Sequence, residues 1–491
     1  MKIRTSFWLV FFLVWKLTSI SQSVGVGTNT PHSSAQLDVS STTKGTLITT
    51  MSSAQRKAIS NPAPGLLVFD IDKKTIYMFD GTQWLPFLFS VTEKNPPTYA
   101  QAQPPILNQN FGYKVAIYED YAVIAANNGS APGVPNSGRA YIFFRDNGVW
   151  KMQDILMAND AATGDDFGAS VSINANYAVI GAPGADVNGD NNRGSVYVFS
   201  RTGTAWSQQN KITASDGQPN DFFGRAVSIN NDNFLAIGAN GDDIGGNSNQ
   251  GSAYIFKGTA GIGGFIWTLQ AKLTASDGDA GDNLGFSIAM SGSFVIAGAY
   301  GDDIGVNIDQ GSVYSFYEFT NPAGWTSGQA YHQKITAADG DGSDFFGISV
   351  DINFNRLIVG ASGDDIGPNP DQGSAYLYFR LGIPPFLWTA PEKITAADGA
   401  ANDNFGISVA VSTTHAVVGA YRSGDEAGII NPGSFYIYSG FNLVFSRKVA
   451  DDVPDTNGYF GFSVAIFAYD ILVGAYGKNN NAGQIAFLNV Q

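Results

Sequence analysis

Apolar and polar residues alternate in short runs along most of the chain. Within residues 167–216 four such runs follow one another, FGASVSIN, YAVIGAP, GSVYVFSR and WSQQNKITASD, separated by turns or a polar loop. Alternation with a period of two predicts half-buried β-strands, and Val, Ile, Tyr and Phe favour them. None of the runs has the 3.6-residue period of a helix. This stretch therefore predicts four consecutive strands.

The same pattern recurs through the chain and carries two markers, an apolar residue followed by glycine and, a little further on, a Gly-Ala pair. The first marker occurs at Phe111-Gly112, Phe167-Gly168, Phe223-Gly224, Leu284-Gly285, Phe346-Gly347, Phe405-Gly406 and Phe460-Gly461. The second occurs at Gly181, Gly238, Gly298, Gly360, Gly419 and Gly474, with a weaker form at Ala125. Seven copies of a four-stranded unit predict an all-β fold, a seven-bladed β-propeller with four-stranded blades.

The ends of the repeat array favour a ring over an open solenoid, which is the alternative. The last copy stops after its third strand, and the segment YAQAQPPILNQNFG before the first Phe-Gly pair matches a fourth strand. We therefore expect this N-terminal segment to supply the outer strand of the last blade. Its Pro-Pro pair is compatible with an edge strand, because proline cannot donate a ladder hydrogen bond.

These repeats resemble the FG-GAP repeats of the integrin alpha-chain β-propeller and of bacterial secreted relatives. The resemblance rests on the seven pairs of markers and covers approximately residues 95–491. It implies the propeller fold specifically, but it implies a function only weakly, because one propeller architecture serves many functions. In the integrin relatives a DxDxDG calcium loop lies between the first and second strands. None of the seven copies here contains that loop, so those calcium sites are not expected.

The segment before the repeats divides into two parts. Residues 1–23 contain Lys2, Arg4 and the apolar run Phe7–Trp15, which predict a secretory signal peptide and a secreted or cell-surface protein. A membrane anchor is the alternative, but this run is too short for a stable membrane span. Residues 24–90 contain a predicted hairpin and look like the small N-terminal module of surface and fibre-like proteins. The propeller then occupies residues 91–491.

The N-terminal module, residues 24–90, is too small to bury a large core. Its predicted hairpin is formed by Leu66–Ile71 and Thr75–Phe79. We expect it to require a partner chain or the propeller for stability, so the protein can form an oligomer through this module. A plain linker that contains a hairpin is the alternative.

Charge and residue types exclude several function classes. The net charge of −15 disfavours nucleic acid as a partner, because the phosphate backbone is also negative. The chain has no Cys and only three His, which excludes thiolate chemistry and disfavours a zinc site. No catalytic motif stands in a suitable context, and the repeated Asp residues are equivalent from copy to copy. We therefore expect a protein that is not an enzyme.

Most acidic residues fall in two kinds of loop, the GDDIGxNxDQGS loop between the second and third strands and the DGxxxDxFG link to the next blade. In an up-and-down blade both kinds of loop lie on the same face of the propeller. Carboxylate and amide oxygens within one glycine-rich loop are ligands that calcium accepts. The candidate metal ligands are Asp186, Asn188, Asp190, Asp242, Asp243, Asn247, Asp302, Asp303, Asn307, Asp309, Asp364, Asp365, Asn369 and Asp371. The alternative is turn chemistry alone, because Asp, Asn and Gly are common in tight loops.

These observations predict a binding or cell-adhesion protein that uses the acidic loop face to hold an extracellular protein or glycan ligand, with calcium as the candidate cofactor. One alternative is a carbohydrate-binding module that stacks sugars on Trp150, Trp206, Trp267, Trp325 and Trp388. We expect these tryptophans to cover the outer edges of the blades instead. Another alternative is a purely architectural surface component.

Overall fold

The fold was analysed in a computed structural model, which describes residues 24–26, 37–39, 47–72, 75–79, 81, 84–86, 97–102, 106–261, 264–318, 324–380, 386–424, 429–440 and 444–490. The predicted signal peptide, residues 1–23, lies outside the described residues. The chain forms two compact units, Met1–Phe89 and Ser90–Gln491. No helix in the described ranges is long and apolar enough to cross a bilayer.

The first unit contains a parallel strand pair and a small four-stranded sheet. The pair consists of β1 (Val24–Val26) and β2 (Leu37–Val39). The sheet consists of β3 (Thr50–Met51), β4 (Leu67–Asp70), β5 (Thr75–Phe79) and β6 (Trp84–Pro86), in that order. Strands β4 and β5 pair antiparallel and form the predicted hairpin.

One short helix, α1 (Ser53–Lys57), follows β3 and begins at a capping box formed by Ser52 and Gln55. Its Arg56 is buried, pairs with the buried Asp70 at 2.8 Å, and lies 3.7 Å from the ring centre of Tyr77. A buried charge of this kind is tolerated because it is both paired and hydrogen-bonded.

The second unit consists of seven four-stranded antiparallel sheets, which we number in chain order. Sheet 1 contains β8 (Val115–Tyr118), β9 (Tyr121–Ala126), β10 (Arg139–Asp146) and β11 (Val149–Leu156). Sheet 2 contains β12 (Ser170–Ile173), β13 (Tyr177–Ala182), β14 (Ser195–Thr202) and β15 (Ala205–Ile212). Sheet 3 contains β16 (Ala226–Ile229), β17 (Phe234–Ala239), β18 (Ser252–Gly261) and β19 (Gly264–Leu273). Sheet 4 contains β20 (Ser287–Ser291), β21 (Phe294–Ala299), β22 (Ser312–Tyr317) and β23 (Gln333–Ile335).

The last three sheets have the same order. Sheet 5 contains β24 (Ser349–Asn353), β25 (Arg356–Ala361), β26 (Ser374–Phe379) and β27 (Glu392–Ile394). Sheet 6 contains β28 (Ser408–Val411), β29 (His415–Ala420), β30 (Ser434–Ser439) and β31 (Val444–Ala450). Sheet 7 contains β32 (Ser463–Phe467), β33 (Asp470–Ala475), β34 (Gln484–Asn489) and, as its outer strand, β7 (Thr98–Ala100), with the short helix α2 (Lys478–Asn481) before β34.

The outer strand of sheet 7 comes from the segment that precedes sheet 1 in the chain. Ala100, Tyr99 and Thr98 pair antiparallel with Ile485, Ala486 and Phe487. The first strands of successive sheets contact one another, and β32 of sheet 7 also contacts β8 of sheet 1. This all-β array of four-stranded antiparallel sheets is consistent with a β-propeller.

The two sequence markers explain how neighbouring sheets fit together. The apolar residue of each Phe-Gly pair is buried; Phe223, for example, packs edge-to-face on Tyr254 at 5.3 Å. The glycine of each Gly-Ala pair faces the Phe-Gly glycine of the next sheet. A Cβ atom on Gly360 would lie 1.9 Å from the carbonyl oxygen of Gly406, so no other residue fits without moving a strand.

Candidate functional site

The acidic loops and the links between sheets lie side by side, as the sequence predicted. Each acidic loop ends in a glycine that forms a parallel bridge with the Phe-Gly or Leu-Gly pair closing the following link, as between Gly311 and Phe346. We use the name acidic loop surface for two sets of segments. The first set is the acidic loops of sheets 3, 4 and 5, residues 240–251, 300–311 and 362–373. The second set is the links after these sheets, residues 274–284, 336–346 and 395–405.

The first Asp of each acidic loop is buried rather than available to a ligand. Asp302 is only 4 % exposed and accepts hydrogen bonds from the hydroxyl groups of Ser312 and Tyr314. Its Oδ2 also lies 2.8 Å from Nζ of Lys334. The same contacts recur around Asp242 and Asp364 with Ser252, Tyr254 and Lys272, and with Ser374, Tyr376 and Lys393.

The lysine of this network joins the acidic loop to the preceding link. Nζ of Lys334 lies 3.0 Å from Oδ2 of Asp277 as well as against Asp302. Burial lowers the pKa of Lys334, but the two carboxylates outweigh it and raise the pKa well above its usual value. The equivalent pairs with the preceding link are Lys211–Asp160, Lys272–Asp216, Lys393–Asp339 and Lys448–Asp398.

The second Asp of each acidic loop is exposed. Asp303 accepts a hydrogen bond through Oδ1 from the backbone N–H of Asp309, at 2.8 Å. Asp309 has a φ of 53°, which Asp and Asn adopt more readily than most residues. The equivalent bonds run to Asp243 from Asn249 and to Asp365 from Asp371. One carboxylate oxygen of each exposed Asp therefore fixes its own loop.

The predicted amide ligands are also used inside the loops. Nδ2 of Asn307 donates to Oε1 of Gln310 at 3.0 Å and to the carbonyl oxygen of Gly340 at 2.9 Å. Asn247 and Asn369 make the same pair of bonds to Gln250 and Gly278 and to Gln372 and Gly399. These bonds hold each acidic loop against the link that follows it.

The variant loop of sheet 2 has its own set of contacts. Asp186 accepts a hydrogen bond from the backbone N–H of Asn192 at 3.0 Å, and Asp190 pairs with Arg193 at 3.1 Å. Asn188 has a φ of 57°. Most of the predicted metal ligands therefore use their side chains to fix their own loops, whereas Asp309 and Asp371 do so through their backbone N–H groups. Among the described residues, no group of three or more His, Cys, Asp or Glu side chains is placed to hold a metal ion.

The links contain a second kind of buried carboxylate. Oδ2 of Asp282 accepts the backbone N–H of Asp279 at 2.8 Å, and burial raises the pKa of Asp282 to about 7. Burial likewise raises the pKa of Asp221 and of Asp344 to about 6. Because Asp282 and Asp344 belong to the acidic loop surface, this surface carries fewer free charges than its sequence implies.

The five tryptophans pack against the protein. Trp150 stacks on Phe487 of sheet 7, with ring centres 4.3 Å apart and planes at 7°. Trp267 is half-buried, and the other three are buried: Trp206, Trp325 and Trp388. These positions leave little of the rings open for stacking a sugar.

Sequence reasoning did not assign a role to the lysines and tyrosines of the buried network. The signal was present, because a lysine begins the recurring KIT or KLT segment of the fourth strand at Lys211, Lys272, Lys334 and Lys393. A tyrosine likewise recurs in the third strand, at Tyr254, Tyr314 and Tyr376. Recurrence at one position of each copy indicated a shared structural contact.

Comparison with protein-family models gives two matches. The FG-GAP repeat model matches residues 107–143, 150–199, 206–256, 267–316, 330–378 and 388–438. The chain belongs to the FG-GAP repeat family. A second model, the phage tail like trimerisation region, matches residues 25–97. No curated protein matches the chain.

Proposed function

We propose that this protein is a non-enzymatic binding or adhesion protein of the cell surface or the secreted fraction, with residues 1–23 as its signal peptide. Its seven sheets are proposed to be the blades of a closed propeller in residues 91–491. The acidic loop surface is proposed to contact an extracellular protein or glycan ligand. The observation that carries this proposal is the row of exposed carboxylates, one per acidic loop, at Asp243, Asp303 and Asp365.

These three carboxylates suit a contact with a basic partner. Each uses one oxygen to fix its loop and keeps the other available, so that the three loops present the same charge at equivalent positions. Charges held on stiff loops of one surface raise the rate of encounter with a partner of opposite sign. FG-GAP repeat propellers typically bind rather than catalyse, which agrees with this role.

The match to a trimerisation region supports oligomerisation through the N-terminal module, residues 24–90. Three copies of a weak binding surface bind a repetitive ligand more tightly than one copy does, because the second and third contacts form at high effective concentration. An adhesion surface gains most from this effect. The measured mass of the native oligomer, by light scattering, tests this part of the proposal directly.

The experiment for the acidic loop surface is a triple variant, Asp243→Asn, Asp303→Asn and Asp365→Asn, in the full chain. Asn keeps the carbonyl oxygen that accepts the loop hydrogen bond, so folding is retained while three charges are removed. With an immobilised oligolysine peptide as the probe, we expect binding of the triple variant to weaken by tenfold or more. The matched control is Asp232→Asn, an exposed carboxylate in the turn between the first and second strands of sheet 3.

The same measurement tests calcium as a cofactor. If the acidic loops hold calcium, chelation should lower the melting temperature and change oligolysine binding, and the triple variant should lose both responses. Oligolysine binding by the triple variant at the level of the unmodified chain would contradict the proposed surface. An unchanged melting temperature with and without chelator would remove calcium from it.

A further inference from the structure

A cavity of about 480 Å³ lies at the loop end of sheets 1, 2 and 3 and adjoins the acidic loop surface at Asn240. Its walls include Asn127, Asn192, Phe222, Arg225, Asn240 and Phe286. Arg225 and Phe286 also line a second cavity, which runs along the first strands of all seven sheets. We call the first cavity the Arg225 pocket. Its volume is in the range of small-molecule sites.

Arg225 is a half-buried cation that makes no direct ion pair within the described part of the chain, although its charge acts on the carboxylate of Asp166 and its side chain hydrogen-bonds with that of Tyr113. No Asp or Glu oxygen within the described ranges lies within 4.0 Å of its guanidinium group, although the chain carries a net charge of −15. The guanidinium carbon lies 4.2 Å from the ring centre of Phe286. The carboxylate of Asp166, which also lines the pocket, accepts a hydrogen bond from Nδ2 of Asn127 at 2.8 Å.

The pocket contains a residue type that the equivalent positions of the other copies lack, unlike the acidic loops, whose residues recur. Arg225 stands directly after a Phe-Gly pair, where the other copies carry small or apolar residues. The residues at this position in the seven copies are Tyr113, Ala169, Arg225, Phe286, Ile348, Ile407 and Phe462. A cation at one copy only is not required by the packing that all copies share.

In sheet 7, which neighbours sheet 1, aromatic rings fill the space at the same end. Tyr459 and Tyr476 stack with ring centres 5.1 Å apart, and Tyr476 also contacts Phe462 at 4.7 Å. Tyr476 occupies the position after a Gly-Ala pair, where sheet 3 carries the smaller Asn240. The smaller side chains of sheets 1 to 3 leave the space open that larger ones close in sheet 7.

The amide groups of the pocket offer acceptors. Nδ2 of Asn240 donates to Oδ1 of Asn283 at 3.0 Å, and Nδ2 of Asn192 donates to Oδ1 of Asn220 at 3.0 Å. Oδ1 of Asn240 is buried and has no hydrogen-bond partner in the described part of the chain. A buried acceptor without a donor is costly, and a hydroxyl donor on a ligand removes that cost.

Phe222 adds an apolar wall to the pocket. Its φ of 55° recurs at the equivalent position of the other copies, as at Phe345 (57°) and Tyr459 (54°), so this conformation belongs to the turn that all copies share. The pocket therefore combines a cation, an unsatisfied carbonyl acceptor and two aromatic side chains.

We propose that the Arg225 pocket binds a sugar that carries a carboxylate group, of the uronic acid class. The carboxylate pairs with the guanidinium group of Arg225, ring hydroxyls donate to Oδ1 of Asn240, and the C–H face of the ring packs against Phe222. Charged hydrogen bonds set the specificity, because a neutral sugar leaves Arg225 unpaired. This inference rests on the proposed binding function and names a ligand class for it.

The test is calorimetric titration of the full chain with trigalacturonate and, in parallel, with the neutral galactose trisaccharide. We expect trigalacturonate to bind at least tenfold more tightly than the neutral sugar. Arg225→Gln should weaken trigalacturonate binding by tenfold or more and leave binding of the neutral sugar unchanged. The matched control is Arg380→Gln, because Arg380 also lies over a phenylalanine ring, 3.9 Å from the centre of Phe294, and does not line the pocket.

A second variant guards against misfolding. Asn240→Asp keeps the size of the side chain and adds a negative charge to the pocket, so it should also weaken trigalacturonate binding, with an unchanged circular dichroism spectrum. Any of three results would overturn the proposal. The first is equal binding of the acidic and the neutral sugar, and the second is an unchanged affinity of Arg225→Gln for trigalacturonate. The third is tighter binding of an oligoglutamate peptide than of trigalacturonate.

These variants test the acidic loop surface and the Arg225 pocket independently of each other. The triple Asn variant of the acidic loops should lose oligolysine binding and keep trigalacturonate binding, whereas Arg225→Gln should do the reverse. If neither variant binds oligolysine less well, the acidic loop proposal fails while the Arg225 pocket is judged on trigalacturonate alone.

Discussion

The acidic loops of sheets 3 to 5 and the Arg225 pocket lie at the same end of the sheets. They differ in whether their buried or half-buried charges have partners of opposite sign. In the acidic loops each buried carboxylate has a lysine, a tyrosine and a serine as partners, and the set recurs three times. In the pocket the cation occurs once and has no carboxylate within ion-pair distance among the described residues.

This difference separates structural charge from charge that is available to a ligand. A buried charge costs several kcal/mol unless it is paired, so a carboxylate repeated in three copies needs a repeated partner. A residue that occurs in one copy only is free of that requirement. The comparison therefore teaches that abundance of Asp in a repeat is weak evidence for a site, and that departures from the repeat are the stronger evidence.

The largest expected effect comes from breaking the buried network. Lys334→Met removes the cation that neutralises the buried Asp302, and we expect the free energy of unfolding to fall by about 3 kcal/mol. Arg225→Met should change it by no more than about 0.5 kcal/mol, because Asp166, the carboxylate on which Arg225 acts, keeps its hydrogen bond from Asn127. Urea midpoints of the two variants measure the contrast. Similar losses in both variants would remove the distinction between the two regions.

A smaller effect is expected at Asp351, a departure from the repeat that stays structural. Burial raises the pKa of Asp351 to about 7, although the backbone N–H groups of Val411 and Ile352 donate to it. The folded pKa is therefore above the unfolded value near 4, so the native state binds the proton more tightly. This stabilisation is present below about pH 4 and is lost as the pH rises to about 7.

Other copies show the matched substitution for this position. Ser172 accepts the backbone N–H of Ile229 and Ser228 accepts that of Met290, as Asp351 accepts that of Val411. At pH 8 we expect Asp351→Ser to be more stable than the unmodified chain by about 1–2 kcal/mol, with no such gain at pH 4. Urea midpoints across this range measure it, and a gain that did not grow with pH would contradict the raised pKa.

The smallest expected effect is at the exposed carboxylates. Asp303→Asn keeps the acceptor for the N–H of Asp309, so the free energy of unfolding should stay within about 0.5 kcal/mol of the unmodified value. Thermal unfolding followed by circular dichroism checks this. A larger loss would mean that Asp303 belongs with the buried network, and the acidic loop surface would lose its available charge.

The fold could be predicted from the sequence because the apolar residues and the two markers recur at regular intervals. Alternating apolar residues and the Phe-Gly and Gly-Ala markers state where each strand lies and where two sheets approach closely. In the structure Phe223 is buried and Gly360 lies against Gly406 of the next sheet, so both markers stand where neighbouring sheets pack. The segment before the first copy could also be recognised as a fourth strand, because it matches the other copies.

The candidate site was less accessible, because its contacts join residues from separate strands and copies. In the sequence, Asp302 and Asp303 are adjacent and look equivalent. In the structure, the path of the loop beside β23 buries Asp302 against Lys334 and leaves Asp303 exposed. The Arg225 pocket likewise depends on three copies meeting at one end of the sheets.

The sequence alone determined the all-β class, the four-stranded unit and its repetition, since these follow from local patterns of apolar residues. Only the tertiary structure decided which charges are neutralised and which remain open. Pairing and burial depend on distances between residues far apart in the chain, and such distances leave no periodic trace in the sequence.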